Sequence, residues 1–235
     1  EVKNQHVRRP TPDRGQGLFS VTASGQNFKT VLGPEQALEP IQNQRMIIDQ
    51  HQASNHSGAS LNSLAAGSII VLHACCHNPT GADLSQAQWD EVVEICKDKG
   101  LVPFLDMAYQ GFADGIDADA VAVRALSNSG LQFFIASSFS KSFSLYGERV
   151  GALSIITASK EESARVLSQV KRVIRTNYSN PPIHGGALVA GVLASPDLRQ
   201  MWETELAGMR KRNRHRRTSL VAAIKAQGQA QALPL

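Results

Sequence analysis

Four chemically active side chains stand beside short apolar runs of this 235-residue chain. Asp106 and Tyr109 follow the second run, Lys141 lies in a serine-rich segment after the third, and Arg149 leads into the fourth. A lysine amine forms a Schiff base with a carbonyl when it is neutral, and burial or nearby cations lower its pKa toward that state. Each residue alone is weak evidence, since most lysines are solvated surface groups. The combination indicates a site for a phosphorylated ring cofactor.

The apolar runs that precede these residues have the length and composition of β-strands. The first is a β-branched run ending near the adjacent cysteines Cys75 and Cys76, and the others are equally short. We therefore predict strands at 68–73, 101–105, 131–136 and 150–156.

Helical patterns lie between and after these strands. Ser85 and Gln88 have capping-box spacing, apolar residues then recur at helical intervals, and Gly100 supplies a stop. Further helices are predicted at 117–126, 159–175, 185–194 and 196–227. The alternation predicts a three-layer αβα domain with a mostly parallel sheet. Ligands of such sheets bind beyond the carboxyl ends of the strands, which is where the polar residues fall.

Composition excludes several classes of protein. The chain has 24 basic and 20 acidic residues, and no apolar stretch approaches the ~20 residues of a membrane span. Three cysteines cannot build a disulfide framework, so a reducing, cytoplasmic setting is expected, and neither a secretory signal nor a membrane partner is predicted. Residues 1–60 show only short apolar runs, and no element is predicted there.

Four ordered motifs carry a resemblance to a known family. They are His73-Ala-Cys-Cys-His-Asn-Pro-Thr-Gly81, Asp106-Met-Ala-Tyr109, Ser138-Phe-Ser-Lys141 with Tyr146-Gly-Glu-Arg149, and Arg175-Thr-Asn-Tyr-Ser-Asn-Pro-Pro182. Together they resemble the class I pyridoxal-phosphate aminotransferases, and within them the aspartate and aromatic amino acid branch. The resemblance runs over 61–227 and implies the C-terminal part of a fold-type-I large domain, incomplete, with the start of the long helix toward the small domain. Residues 1–60 stay unassigned, and 228–235 form a tail.

The resemblance also implies roles for individual residues. Lys141 matches the Schiff-base lysine, which afterwards shuttles the proton at the substrate Cα. Asp106 matches the carboxylate that keeps the pyridine nitrogen protonated, so that the ring can accept electrons. Tyr109 and Asn78 match the hydrogen-bond donors to the ring oxygen, and Asn78 is also expected near the substrate.

The remaining matches concern the phosphate, the substrate and the assembly. Ser138 and Arg149 match ligands of the cofactor phosphate. Arg175 matches an arginine that crosses to the neighbouring site of a homodimer and pairs with the distal carboxylate of the substrate. The implied activity is transamination of an aromatic or dicarboxylic amino acid with a 2-oxo acid such as 2-oxoglutarate.

Other interpretations remain beside this one. His73, Cys75, Cys76 and His77 are possible zinc ligands, but a second ligand pair is missing and no metal is predicted. The six cations among residues 210–217 could bind nucleic acid, but helical periodicity favours a solvated helix face, so no nucleic-acid partner is expected. An inactive fragment, or another pyridoxal-phosphate reaction on the same fold, is the alternative function.

Overall fold

The computed structural model describes residues 17–24, 45–47 and 61–226, and its centre is one six-stranded sheet. The strand order is β1-β6-β5-β4-β3-β2. Three neighbouring pairs, β2 with β3, β3 with β4 and β4 with β5, are parallel, whereas β6 runs antiparallel to both β5 and β1. The strands are β1 (Gly17–Ser24), β2 (Arg45–Ile47), β3 (Ile69–His73), β4 (Val102–Met107), β5 (Phe133–Ser138) and β6 (Val150–Thr157).

Five helices accompany the sheet within the described residues. The second helix follows a 3₁₀ turn at Ala118–Ala120, and the last is 31 residues long. No helix of the described ranges is both long and apolar enough to cross a membrane. The helices are α1 (Gln86–Lys99), α2 (Val121–Ser129), α3 (Lys160–Asn177), α4 (His184–Ala194) and α5 (Pro196–Ala226).

Helix α1 shows that local sequence signals set its boundaries. The Ser85 hydroxyl accepts a hydrogen bond from the Gln88 backbone N–H at 3.4 Å, and the Gln88 side chain accepts one from the Ser85 N–H at 2.8 Å. Gly100 ends the helix in the left-handed region at φ 63°, which glycine adopts without a Cβ clash. The predicted capping box and stop are confirmed.

The main core lies where α1 and α2 cover one face of the central strands. Ile70 and Leu105 are fully buried on neighbouring strands, and Trp89 of α1 and Leu126 of α2 are buried against them. Each such side chain contributes about 1.5–3 kcal/mol relative to an exposed position. This core fixes β3, β4 and β5 side by side, and these are the strands that precede the predicted site residues.

The predicted fold class is confirmed, and the structure adds two strands in the region without an assignment. The sheet is mostly parallel, and helices pack on it. Strand β1 pairs with β6 over eight residues, from Gly17 opposite Thr157 to Ser24 opposite Val150. The short β2 pairs with β3. The strand partners lie far away in the sequence, so no local pattern marked them.

Candidate active site

The carboxyl ends of β3, β4 and β5 bring three predicted loops to one edge of the sheet. His73, the last residue of β3, is in register with Asp106, and Met107 of β4 is in register with Ser137 of β5. The loops that carry Asn78, Tyr109 and Lys141 leave the sheet from these positions. Parallel pairing therefore brings three separate sequence motifs to one surface.

Lys141, Tyr109 and Asn78 meet at this edge. The Lys141 amine lies 4.7 Å from the centroid of the Tyr109 ring, a cation–π distance. The Asn78 amide nitrogen is 3.5 Å from the Tyr109 hydroxyl oxygen, at the outer limit of a hydrogen bond. Lys141 and Tyr109 are half-buried, and Asn78 is exposed. The phenol thus contacts both an amine that can act as a base and an amide that can donate.

Internal hydrogen bonds fix the loop that carries Asn78. The Asp83 carboxylate accepts from the backbone N–H groups of Cys76 at 2.8 Å and His77 at 3.0 Å. His73 Nδ1 accepts from the Asn78 N–H at 3.4 Å, and His77 Nδ1 lies 2.7 Å from the Thr80 hydroxyl. These bonds hold the Asn78 backbone relative to β3.

The possible zinc ligands His73, Cys75, Cys76 and His77 do not lie on one continuous strand. Strand β3 ends at His73, and Cys76 has a positive φ of 51°, so the backbone leaves the extended conformation before His77. Potential ligand atoms of Cys75, Cys76 and Asp119 lie within 4.8 Å of one another. The hydrogen bond with Cys76, followed by burial, raises the pKa of Cys75, which disfavours the thiolate a metal needs. That no metal is bound stays a prediction.

Asp119 is a structural residue that the sequence motifs did not reveal. Its buried carboxylate accepts four backbone N–H bonds, from Gly111 at 2.7 Å, Ala113 at 3.1 Å, Asp114 at 2.8 Å and Gly115 at 3.2 Å. The loop after Tyr109 is therefore wrapped around one anion. In the sequence, Asp119 is an acidic residue at a helix start. Such a residue is typical of a helix cap, but the sequence does not show which loop its carboxylate binds.

The predicted phosphate ligands stand at the end of β5 and directly before β6, which are neighbouring strands. Ser138 ends β5 opposite Gly151 of β6, and its hydroxyl accepts from the Ser140 N–H at 3.3 Å. Arg149 stands one residue before β6 at φ 51°, and its guanidinium donates to the Tyr146 carbonyl at 2.9 Å. Arg149 is exposed, so its guanidinium is accessible to a ligand.

Arg175 is not joined to the other predicted site residues by any contact that the described ranges contain. It lies in the last turn of α3, is exposed, and donates a hydrogen bond to the Ser179 hydroxyl. Its predicted role requires a second copy of the chain. That role stays a prediction.

The basic run of α5 is only partly a solvated face, which corrects the expectation from periodicity. The half-buried Arg210 donates to the Gly111 carbonyl at 2.6 Å, and Arg214 donates to the Ala113 carbonyl at 2.8 Å. Conversely, the apolar side chains of Met201 and Leu220 are 68% and 61% exposed. The face of α5 that packs on the loop after β4 carries the buried Leu206 together with Arg210 and Arg214, whose guanidinium groups satisfy the carbonyls of that loop.

The chain is similar to curated aspartate and aromatic aminotransferases. It is 60% identical over 191 residues to an aspartate aminotransferase of Pseudomonas aeruginosa, covering 80% of this chain and 48% of that protein. It is 51% identical over 166 residues to the aromatic-amino-acid aminotransferase of Escherichia coli, covering 71% and 42%. The chain thus spans about half the length of the curated relatives it matches.

A solved structure shows the same arrangement of elements. The aromatic-amino-acid aminotransferase of Burkholderia pseudomallei, crystallised covalently bound to pyridoxal phosphate, matches with a TM-score of 0.72 and 64% identity, over 74% of this chain and 44% of that one. The sequence profile of the family described as aminotransferase class I and II matches residues 47–234. The matched region therefore begins within residues 1–60, which had no assignment from the sequence. Since that match covers most of the chain, the protein belongs to the aminotransferase class I and II family.

Proposed function

We propose that this chain forms part of a pyridoxal-phosphate enzyme that transfers an amino group from an aromatic or dicarboxylic amino acid to a 2-oxo acid such as 2-oxoglutarate. The observation that carries the proposal is the Lys141 amine, 4.7 Å above the Tyr109 ring at the strand edge that Asp106 also occupies. The aspartate and aromatic aminotransferases among its relatives support the substrate class. The cofactor is supported by the Burkholderia pseudomallei structure.

The donor set at the strand edge matches the groups of pyridoxal phosphate. An amine is available for its aldehyde, a carboxylate for its ring nitrogen, and an amide with a phenol 3.5 Å apart for its ring oxygen. Ser138 and Arg149 offer a hydroxyl and an exposed guanidinium for its phosphate. The residues present therefore fit the group.

When it is bound, the cofactor supplies an electron sink for the bond that breaks at the substrate Cα. Lys141 then acts as the base that takes and returns the Cα proton through its Nζ. Asp106, as a carboxylate, holds a proton on the ring nitrogen by charge attraction. Tyr109 and Asn78 orient the ring by donating to its oxygen, and Ser138 and Arg149 anchor the phosphate.

The homodimer and the cytoplasmic location are parts of the same proposal. Ile183, directly before α4, is 84% exposed and Val173 of α3 is 55% exposed, so apolar surface remains for another chain to cover. In such a dimer, Arg175 binds the distal carboxylate of the substrate in the partner's site. The three cysteines are free thiols, which agrees with a reducing compartment.

A titration of the purified chain with pyridoxal phosphate tests the proposal. We expect a saturable visible absorbance band, and borohydride followed by peptide mapping should place the label on Lys141. Addition of glutamate or an aromatic amino acid should then bleach the band as the pyridoxamine form accumulates. A folded chain that gives no specific adduct supports the inactive-fragment alternative, and an adduct that eliminates or decarboxylates its substrate supports another reaction on the same fold.

A further inference from the structure

One stripe of helix α5 contacts the loops of all three central motifs. Residues 202, 206, 210, 214 and 217 recur at intervals of four or three and therefore share one helix face. Trp202 reaches the Lys141 loop, the middle of the stripe reaches the Tyr109 loop, and Arg217 reaches the Asn78 loop. These five residues are called the α5 stripe below.

At its first position the α5 stripe binds the loop of Lys141. The Trp202 indole N–H donates to the Ser142 carbonyl at 2.7 Å. The same indole stacks on Phe143, with ring centroids 4.4 Å apart and an interplanar angle of 18°. The residues that follow Lys141 are therefore fixed to α5 by one polar and one aromatic contact.

The middle of the α5 stripe binds the loop of Tyr109. Leu206 is 1% exposed and packs so closely on Gly111 that a Cβ there would lie 2.4 Å from its Cδ2 atom. Arg210 and Arg214 donate to the carbonyls of Gly111 and Ala113. Because Asp119 already binds the N–H groups of this loop, both sides of its backbone are held, by an anion on one side and cations on the other.

The last position of the α5 stripe touches the loop of Asn78. The Arg217 guanidinium lies 3.2 Å from the point where a Cβ on Gly81 would stand. The three loops leave different strands and have α5 as a shared support.

We propose that the α5 stripe sets the separation of Lys141 from Tyr109, with Trp202 and Arg210 as positioning residues for the active site. The proposal deepens the proposed function and rests on it for its chemical meaning. A long helix is stiff over this distance, so two loops bound to it move together, whereas two loops bound only to their own strands move independently. The contact between the lysine amine and the phenol ring then depends on residues that touch neither.

Hydrogen exchange of the full chain tests whether the stripe holds the loops. In Arg210→Met, the amides of 111–115 should exchange about tenfold faster, since a hydrogen bond from a charged donor is lost. Arg212→Met is the matched control, because Arg212 is exposed on the same helix and forms no hydrogen bond or ion pair within the described part of the chain. If the amides of 111–115 exchange within twofold of each other in Arg210→Met and Arg212→Met, the proposal that the α5 stripe holds this loop is refuted.

A spectroscopic signature separates positioning from simple support of the fold. Lysine side chains labelled with ¹³C-methyl groups each give an NMR signal. The signal of Lys141 is the one that Lys141→Arg removes, and the Tyr109 ring should displace it upfield. Trp202→Ala and Arg210→Met should move this signal toward the position of the exposed lysines, and Arg210→Lys should restore it in part. A signal that stays in place in both variants overturns the proposal.

Further variants distinguish loss of the fold from loss of the loop positions. If Trp202→Ala or Arg210→Met loses its helical circular dichroism, Trp202→Phe carries the test, because it keeps the aromatic packing and removes only the indole donor. Both measurements need no cofactor. Failure of the chain to capture pyridoxal phosphate at Lys141 therefore removes the proposed function, while exchange and NMR still decide whether the α5 stripe sets this separation.

Discussion

The Lys141 amine lies 4.7 Å from the centre of the Tyr109 ring, although the two residues follow different strands. The contact exists because β4 and β5 are parallel neighbours and end at the same edge. An aromatic ring attracts a lysine ammonium group above it and thereby limits the rotamers that the lysine side chain adopts. The predictions for Lys141→Ala and Asp106→Asn concern residues at this edge of the sheet.

Lys141→Ala should abolish covalent capture of pyridoxal phosphate while leaving weak noncovalent binding, because the only change is the loss of the reacting amine. Borohydride trapping with peptide mapping measures the adduct. Lys160→Ala, an exposed lysine at the start of α3, is the control and should retain wild-type labelling of Lys141. A labelled peptide elsewhere that survives in Lys141→Ala would remove this residue from the proposed role.

Asp106→Asn should leave capture at Lys141 intact but slow transfer of the amino group by about a hundredfold or more. The amide keeps the shape of the side chain, and the loss of its charge removes the partner that holds a proton on the ring nitrogen. Stopped-flow absorbance with a single amino acid substrate measures the rate. Asp98→Asn, at an exposed carboxylate near the end of α1, provides the comparison, and equal rates in the two variants would contradict the role of Asp106.

Gly111→Ala should lower the free energy of unfolding by about 3 kcal/mol, since it adds backbone strain to a steric clash. Gly111 has φ 96°, and its Cβ would meet Leu206 at 2.4 Å and Ile116 at 2.9 Å. Gly130→Ala separates backbone strain from the steric clash, because Gly130 has φ 82° and an added Cβ would have nothing within 4 Å. Its free energy of unfolding should fall by only about 1 kcal/mol. Urea unfolding gives both values, and equal losses would show that the α5 contact is unimportant.

Cys96 should make the chain less stable as the pH rises above 9. Burial raises the pKa of this thiol to about 12 from 9.0. Below pH 9 the Cys96 thiol keeps its proton in both the folded and the unfolded chain. Between pH 9 and 12 only the folded chain keeps that proton. The free energy of unfolding therefore falls by about 1.4 kcal/mol per pH unit in this range. Urea unfolding at pH 8, 9.5 and 10.5 should show a shallower decline in Cys96→Ala.

The control for that measurement is Val92→Ala, which also removes buried volume from α1 but no titrating group. It should lower stability at every pH and keep the wild-type slope. Parallel slopes for Cys96→Ala and the wild type would mean that the thiol ionises equally in both states.

Much of the fold and of the candidate site could be predicted because the signals are local. The ends of α1 follow from Ser85, Gln88 and Gly100, whose hydrogen bonds and φ angle involve only near neighbours in sequence. Three of the four motifs indicated their site residues in the same way, since each stands at the end of a recognisable strand, whereas the Arg175 motif ends helix α3. The division of the chain at residue 60 and the role of each site residue stay predictions.

By itself, the sequence determined the element types, the strand ends that bear the polar residues, and the family. Only the tertiary structure decided the distances between the loops and the use of the α5 stripe. Strand β1 joins β6 through long-range backbone pairing that leaves no local pattern. Arg210 turns inward because the Gly111 carbonyl needs a donor, while Met201 stays exposed. Periodicity shows which residues share a face, but the contacts that neighbouring elements offer, both the packing of Leu206 on Gly111 and the loop carbonyls that accept from arginine, decide which face packs inward.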